Sequence, residues 1–478
     1  MSLNQFGRPP FVWRLLLLTP LAFWSLVASA SIVVANYGTD SGSCGSSAEP
    51  CRSISQAIAN AAPSEVIYVG AGRYGDVSGT GTFSGPGDEH AQPGSGDLDY
   101  QSCVICISKP VQIYSLNGSA VTYIQANSAA SFQNAVYITS AGVTFGSPGH
   151  GFTISNGGGN GVVVDFEATG PSAQPMNVTV AGNVDVADAQ GFVFVGSKYG
   201  TSGPGSICPQ AICPPGYNGR ILFQGNRASG SGTGFWIEPR AANCCGFSYD
   251  TLLNGQVVFH AIPNDIQVVL QNNVAMGTQT GFFVAKGVIF CDGCGDHASA
   301  NDVTLANNFA SGNQTGFDLS TAGVVSQNVA IGNGIGFSWA EPAGAFSYNS
   351  AIGNMGPGVI FSTFSNSGPG TATVSHNNFY GNDRNRPSGS SAHCAILNLG
   401  ATNTNAYVTD YIQYDTPAQP PYPAVSLNAE SGFWGSAKGP SGGASADVIG
   451  GACDQTGGQT VASGAQAAPV AIPTPPAT

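Results

Sequence analysis

One spacing recurs through the middle of the chain and limits what it can fold into: Asn, one residue, Ala, one residue, Gly, three residues, Gly-Phe. Full copies begin at Asn226, Asn273, Asn308 and Asn328. The copy at Asn183 keeps the spacing but carries Asp185 where the others have Ala. The copy at Asn349 gains one residue and ends in Val359. A unit this short cannot bury an apolar face alone, so its copies must stack on one another.

Each unit is too short and too rich in Gly for a pair of helices. Beside it run segments such as Arg220-Ile221-Leu222-Phe223, Ile266-Gln267-Val268-Val269-Leu270 and Val303-Thr304-Leu305. Their alternation and their β-branched and aromatic content read as strands. Phe317, Phe337 and Val359 follow one another at 20 and 22 residues, a length that suits one coil of three short strands and three turns. The spacing therefore predicts an all-β, single-stranded parallel β-helix with coils about 4.8 Å apart. Stacking would put Phe192, Phe235, Phe282, Phe317 and Phe337 in one interior column, each ring contributing roughly 1.5–3 kcal/mol. Asn226, Asn273, Asn308, Asn328 and Asn349 would form a ladder at a turn, where Asn tolerates left-handed backbone. Ala228, Ala275, Ala310, Ala330 and Ala351 fit a tight inward position, and the glycines supply turn geometry. A leucine-rich solenoid would need a Leu consensus, and a propeller would need blades of about 40 residues.

Only 8% of the residues are charged and 67 of the 478 are Gly, which suits one elongated body coated with small polar residues. Residues 1–30 read as a secretory signal. Arg8 and Arg14 precede the apolar run Leu15 to Val27, and Ala28-Ser29-Ala30 offers a small-residue cleavage site. The run is short and broken by Pro20, so no membrane span is expected in the mature chain. The mature protein is expected outside the cytoplasm, in the periplasm, at the cell surface or beyond it. Its net charge would move from −13 to −15, because Arg8 and Arg14 leave and no acidic residue does. That balance argues against nucleic acid and anionic membrane as partners, and counts against a polyanionic substrate.

The 12 Cys of a secreted chain read as disulfides. They fall as Cys44/Cys51, Cys103/Cys106, Cys208/Cys213, Cys244/Cys245, Cys291/Cys294 and Cys394/Cys453. Adjacent Cys244 and Cys245 bond to each other or cross to other loops. Zinc is the alternative for Cys291, Cys294 and His297, although structural zinc takes four ligands.

At the mature N-terminus, Ile32-Val33-Val34 reads as a first strand. Ser53-Ile54-Ser55-Gln56 reads as a capping box, with Ile54, Ala57, Ile58 and Ala61 on one helical face and Pro63 as the stop. Such a helix would cover the open end of the solenoid. A Gly-rich loop over 75–102 carries Asp76, Asp88, Glu89, His90, Asp97 and Asp99. Calcium is a candidate ligand there, although no Asp spacing matches a calcium loop, and no motif requires a cofactor. Further on, Phe433-Trp434-Gly435-Ser436 breaks the repeat and is expected to close the last coil. The Ala- and Pro-rich stretch 463–478 reads as a flexible tail behind a β-helix domain over 31–462.

From Asn to Phe the spacing is nine residues in every copy from Asn183 to Asn328, whereas from Phe to the next Asn it is 34, 38, 26, 11 and 12. All extra length thus falls in one segment of the coil. The three long segments hold Cys208/Cys213, Cys244/Cys245 and Cys291/Cys294, which predicts three stapled loops forming a wall on one side. Loops on a rigid scaffold are where function concentrates. The wall supplies Lys198, Tyr199, Arg240, Asp250, His260, Lys286, Asp292, Asp296 and His297. Asp292, Asp296 and His297 form the densest cluster and are the candidate acid–base residues for glycoside hydrolysis. By alternation Trp236 points outward, where an indole can stack on a sugar ring. With Lys198, Tyr199, Arg240 and Lys286 it forms the candidate carbohydrate-binding set. Arg384 and Arg386 are the one basic pair of the mature chain and suit a sugar carboxylate or a salt link.

Three elements resemble the pectin lyase-like superfamily of right-handed parallel β-helix proteins: the Asn/Gly-Phe coils, the opening Pro50-Cys51-Arg52-Ser53-Ile54 with Gly70-Ala71-Gly72-Arg73-Tyr74, and the closing Phe433-Trp434-Gly435-Ser436 with Gly439-Pro440. The resemblance spans roughly residues 31–450 and implies right-handedness and a polysaccharide or cell-surface glycan partner. It is a marker of fold rather than of activity. Gly149-His150-Gly151 resembles one polygalacturonase segment, but its Asn-Thr-Asp and Asp-Asp partners are missing. The Trp-x-Asp-His of pectate lyases and the Gly-Arg-Pro-Trp of pectin methylesterases are missing too. The sequence therefore points first to a noncatalytic glycan-binding or surface-interaction scaffold. A polysaccharide lyase or glycoside hydrolase with an atypical site is the alternative, and a purely structural coat element is a third reading.

Overall fold

The computed structural model describes residues 31–91, 102–126, 134–165, 175–196, 218–238, 247–251, 257–261, 265–285, 288–289, 297–298, 303–320, 323–340, 343–364, 371–383, 394–402, 425–434, 452–454 and 458–471. They form an all-β, right-handed parallel β-helix with sheets of 13, 11 and 10 parallel strands. Among the described residues the only helix is Ile54–Asn60.

One coil shows the plan. Val303–Ala306 lies in the 13-stranded sheet, Phe309–Ser311 in the 10-stranded sheet and Thr315–Leu319 in the 11-stranded sheet. The next coil repeats this with Val324–Ser326, Val329–Ile331 and Ile335–Ala340. Register is in step, with Ala310 beside Ala330 and Phe317 beside Phe337. The aromatic column forms as the spacing predicts. Phe192, Phe235, Phe282, Phe317 and Phe337 stack with centroids 5.0, 4.7, 4.7 and 4.6 Å apart. All five are buried, as are the five column alanines.

Two of the three corners are locked from inside. Each Asn of the first corner after Asn183 accepts, at its Oδ1, the backbone N–H and the Nδ2 of the preceding Asn, and donates its own Nδ2 to a backbone carbonyl; Asn183 Oδ1 accepts instead from Phe152 N–H at 3.0 Å. The chain of bonds runs from Asn183 through Asn226, Asn273, Asn308, Asn328 and Asn349 to Asn377. A second ladder, which the sequence reading missed, links Thr278 through Asn313, Asn333 and Asn354 to Asn382. An insertion at either corner would break a buried ladder. Among the described residues the third corner carries no such ladder, and within the copies from Asn183 to Asn349 the extra length lies there.

Two local expectations need correction. The ladder Asn residues are not themselves left-handed. The residue before each one is, with φ of 57° at Asn272, 56° at Asn307 and 58° at Gln327. The glycines also divide into two kinds. Gly277 and Gly312 do supply turn geometry, with φ of 64° and 67°. The Gly before Phe is instead required by close approach, since a Cβ on Gly281 would lie 2.5 Å from the Gly316 carbonyl oxygen.

The helix Ile54–Asn60 turns Ile54, Ala57 and Ile58 into the core beside the first coils. Ser53 caps it by accepting from Gln56 N–H at 3.1 Å. Gln56 does not complete the reciprocal half of the box, since its Nε2 donates to Asn60. Glu89 serves that end instead, accepting from the backbone N–H groups of Ile54 and Ser55 at 2.9 and 2.8 Å. Farther along, Trp434 is buried and packs on Phe379 with centroids 5.2 Å apart, while Phe433 bridges to Asn378, so the Phe-Trp segment continues the coil. Val470, in the stretch read as a flexible tail, pairs through its N–H and carbonyl with the amide of Asn378.

Candidate functional site

In the 11-stranded sheet the residue after each column Phe faces outward. The row runs Cys106, Tyr137, Val163, Val193, Trp236, Phe283, Asp318 and Ser338 in strict register. This row is more apolar than an outer face requires. Cys103, Tyr137, Val163 and Val193 form a small buried cluster separate from the main core, and Cys106, Val195 and Trp236 pack against it. Trp236 and Phe283 follow with ring centroids 4.5 Å apart and planes tilted by 45°.

Acidic and hydroxyl groups flank this stripe. The Tyr137 hydroxyl donates to Asp165 Oδ2 at 2.7 Å, both residues being buried. Asp318 takes the next place after Phe283, and burial pushes its carboxyl above the ordinary range despite a hydrogen bond from Ser338. An aromatic pair beside carboxylates can stack on the apolar face of a sugar while the carboxylates accept from its hydroxyls.

The three long segments of the repeat all leave from this sheet, after Gln190–Val195, Thr233–Glu238 and Thr280–Val284. Two of them contain short antiparallel pairs. Phe247–Thr251 pairs with Val257–Ala261, placing His260 opposite Ser248, and Val288–Ile289 pairs with His297–Ala298. Thus His297 sits opposite Ile289 in a two-residue strand. Asp292 and Asp296 lie outside the described residues, as do Lys198, Tyr199, Arg240, Lys286, Arg384 and Arg386. Trp236 is the member of the predicted binding set whose side chain the structure places, and it is half-buried against Phe283 rather than standing free. Tyr137, Asp165, Phe283 and Asp318 went unnoticed in the sequence. Stepping one residue beyond each column Phe would have found Phe283 and Asp318.

Of the predicted disulfides, Cys44–Cys51 and Cys103–Cys106 are formed, and Cys394 is disulfide-bonded. Cys208, Cys213, Cys244, Cys245, Cys291 and Cys294 lie outside the described residues. Cys453 is in the strand Ala452–Asp454, beside Leu397.

In the acidic N-terminal loop the carboxylates bind the chain itself. Asp88 accepts from Ser78 N–H and Gly85 N–H, each at 2.7 Å, and Asp76 accepts from Thr80 and Gly81 N–H. Glu89 serves the helix, and His90 lies 3.3 Å from Asp40. Among the described residues no three His, Cys, Asp or Glu side chains gather to hold a metal. Asp97 and Asp99 lie outside them.

No family model, no curated protein and no solved structure matches this chain. No helix among the described residues is long and apolar enough to cross a membrane.

Proposed function

We propose that this chain is a secreted β-helix of the pectin lyase-like kind whose outward row on the 11-stranded sheet binds a glycan without cleaving it. The observation that carries this reading is the half-buried pair Trp236 and Phe283, set in register on a rigid sheet beside Asp318 and next to the corner where the long segments leave. The acidic balance favours a neutral or cationic glycan over a polyanionic one. The disulfides support an oxidising compartment outside the cytoplasm.

The test is binding of a polysaccharide panel by the oxidised mature protein, with and without calcium, alongside assays for unsaturated products and reducing ends. Saturable binding without product supports the scaffold reading. A second reading, a lyase or hydrolase with an atypical site, draws on Asp318. Burial keeps this carboxyl protonated to higher pH than usual, as a general acid needs, and it stands beside an aromatic platform. Turnover that is lost in Asp318→Asn would establish it. Turnover lost instead in Asp296→Ala and His297→Ala would move the chemistry to the segment around 286–302.

A further inference from the structure

The copy of the repeat that breaks the pattern holds an unusual polar site in the interior. Asp185 stands in the column of alanines, between Ile154 and Ala228 in register. Asp188 stands at the second corner, the place later taken by Ser231, Thr278, Asn313 and Asn333. Their exposures are 0% and 2%. Two glycines make the space. A Cβ on Gly161 would lie 2.3 Å from Asp185 Oδ1 and 3.1 Å from Asp188 Oδ2, and one on Gly191 would lie 2.6 Å from Asp185 Oδ2.

The four carboxylate oxygens are not equally served. Ser231 Oγ donates to Asp185 Oδ2 at 2.5 Å. Asp188 Oδ1 accepts from the backbone N–H of Asn156 and, at 3.0 Å, from that of Gly157. The two oxygens left over, Asp185 Oδ1 and Asp188 Oδ2, have no donor among the described residues, and both face Gly161. A hydrogen bond between the two side chains across this space would give both oxygens a partner. Two ionised carboxylates cannot bond in this way, because neither carries a hydrogen.

Among the described residues no opposite charge faces the pair. The packed strands Thr153–Ser155 and Gln190–Val195 contain no titratable side chain. On Arg227–Ser229, Arg227 alternates with the inward Ala228 and donates to Met276 Sδ at 3.5 Å. On Asn160–Asp165, Asp165 sits at the far end and bonds the Tyr137 hydroxyl. The connecting turns 156–159 and 230–232 carry no charged residue.

We propose that Asp185 and Asp188 form a buried proton-binding site, holding one proton between Asp185 Oδ1 and Asp188 Oδ2 at neutral pH. With that proton every oxygen of the pair has a partner. Without it, two like charges share one closed chamber, and the coil around it is weakened. Burial, and for Asp185 the nearby Asp188, push both carboxyls upward in the same sense. The site thus acts as an alkali-sensitive latch within the solenoid.

Two variants follow the repeat's own logic. Asp188→Asn supplies a permanent amide donor, as Asn313 does in its ladder, and Asp185→Ala restores the alanine column. Thermal midpoints of the oxidised mature wild type and both variants would be compared from about pH 5 to about pH 9. Isotope-edited infrared spectra would report a protonated Asp carbonyl. The expected result is a wild-type midpoint that falls with pH more steeply than that of Asp188→Asn, and a protonated carboxyl at neutral pH that Asp185→Ala removes. If Asp188→Asn does not fold, the spectral comparison with Asp185→Ala decides alone. Parallel pH curves, a fully ionised pair at neutral pH, or a stoichiometric cation found by elemental analysis would overturn the proposal.

Discussion

Asn308 and Asn328 are joined by two hydrogen bonds to one atom: the backbone N–H and the Nδ2 of Asn308 both reach Asn328 Oδ1, at 3.0 and 2.9 Å. Asn328 Nδ2 returns a bond to the Leu305 carbonyl at 2.9 Å. A single buried amide thus satisfies two donors and one acceptor that the corner would otherwise bury unpaired. No other side chain of this length offers both an acceptor with two lone pairs and a donor pair in one plane.

Asn328→Ala should therefore cost more than one hydrogen bond. Each buried group left without a partner costs about 1–3 kcal/mol, so a loss of about 3 kcal/mol or more is expected in denaturant unfolding. Ser311→Ala, on the outward side of the neighbouring strand, should change stability by less than about 0.5 kcal/mol. Equal effects would mean that the ladder is ornamental.

Phe282 stacks between Phe235 and Phe317 at 4.7 Å on each side. Phe282→Ala should lower stability by about 3–5 kcal/mol through lost burial and the cavity left behind. Phe282→Leu should cost clearly less. Thermal melts of the two variants give the ordering.

The two glycines of one repeat should respond differently to alanine. Gly277 has open space around it, and only its φ of 64° resists a side chain, so Gly277→Ala should cost about 1–2 kcal/mol. In Gly281→Ala the new Cβ would lie 2.5 Å from the Gly316 carbonyl oxygen, so two coils would have to part. That variant should be the less stable of the two, and its register should be visible as altered amide-exchange protection at Gly316 and Phe317.

Asp40 should shape the acid limb of stability. Burial raises its carboxyl, but hydrogen bonds from Ser53, Arg52 and His90 outweigh this and hold it below the ordinary 3.8. A carboxyl lowered in the folded state contributes stability above its unfolded value, and this is lost as pH falls through the folded value. Asp40→Asn should therefore flatten the loss of stability below about pH 4. Asp185 and Asp188 act in the opposite sense, since their raised carboxyls bind the proton more tightly in the folded state. Their contribution is present at low pH and lost as pH rises from the unfolded carboxylate range through the raised folded range.

The fold was legible because stacking multiplies one signal. The Asn and Gly-Phe spacings mark a corner and a column that recur identically, and Phe192 to Phe337 stack as that spacing requires. The second ladder was hidden because its positions vary, with Ser231 and Thr278 preceding Asn313, Asn333 and Asn354. Capping by Glu89 was hidden because its partners Ile54 and Ser55 lie 35 and 34 residues away. The outward row was half legible. Alternation placed Trp236, but the packing of Phe283 against it depends on register between coils separated by a long segment.

The central functional claim is tested most directly by tryptophan fluorescence. Trp339 and Trp434 are fully buried and Trp236 is half-buried, so Trp236 is the natural reporter among the tryptophans after residue 30. The measurement is a titration of the oxidised mature protein with neutral, cationic and anionic polysaccharides, read by fluorescence in the wild type and Phe283→Ala and by calorimetry in the wild type and Trp236→Ala, which lacks the reporter. Saturable change with a neutral or cationic glycan, no product formed, and loss of binding by at least about tenfold in both variants is the result predicted, a factor equal to about 1.4 kcal/mol. Binding that survives both substitutions, or no saturable change with any polysaccharide, would contradict it.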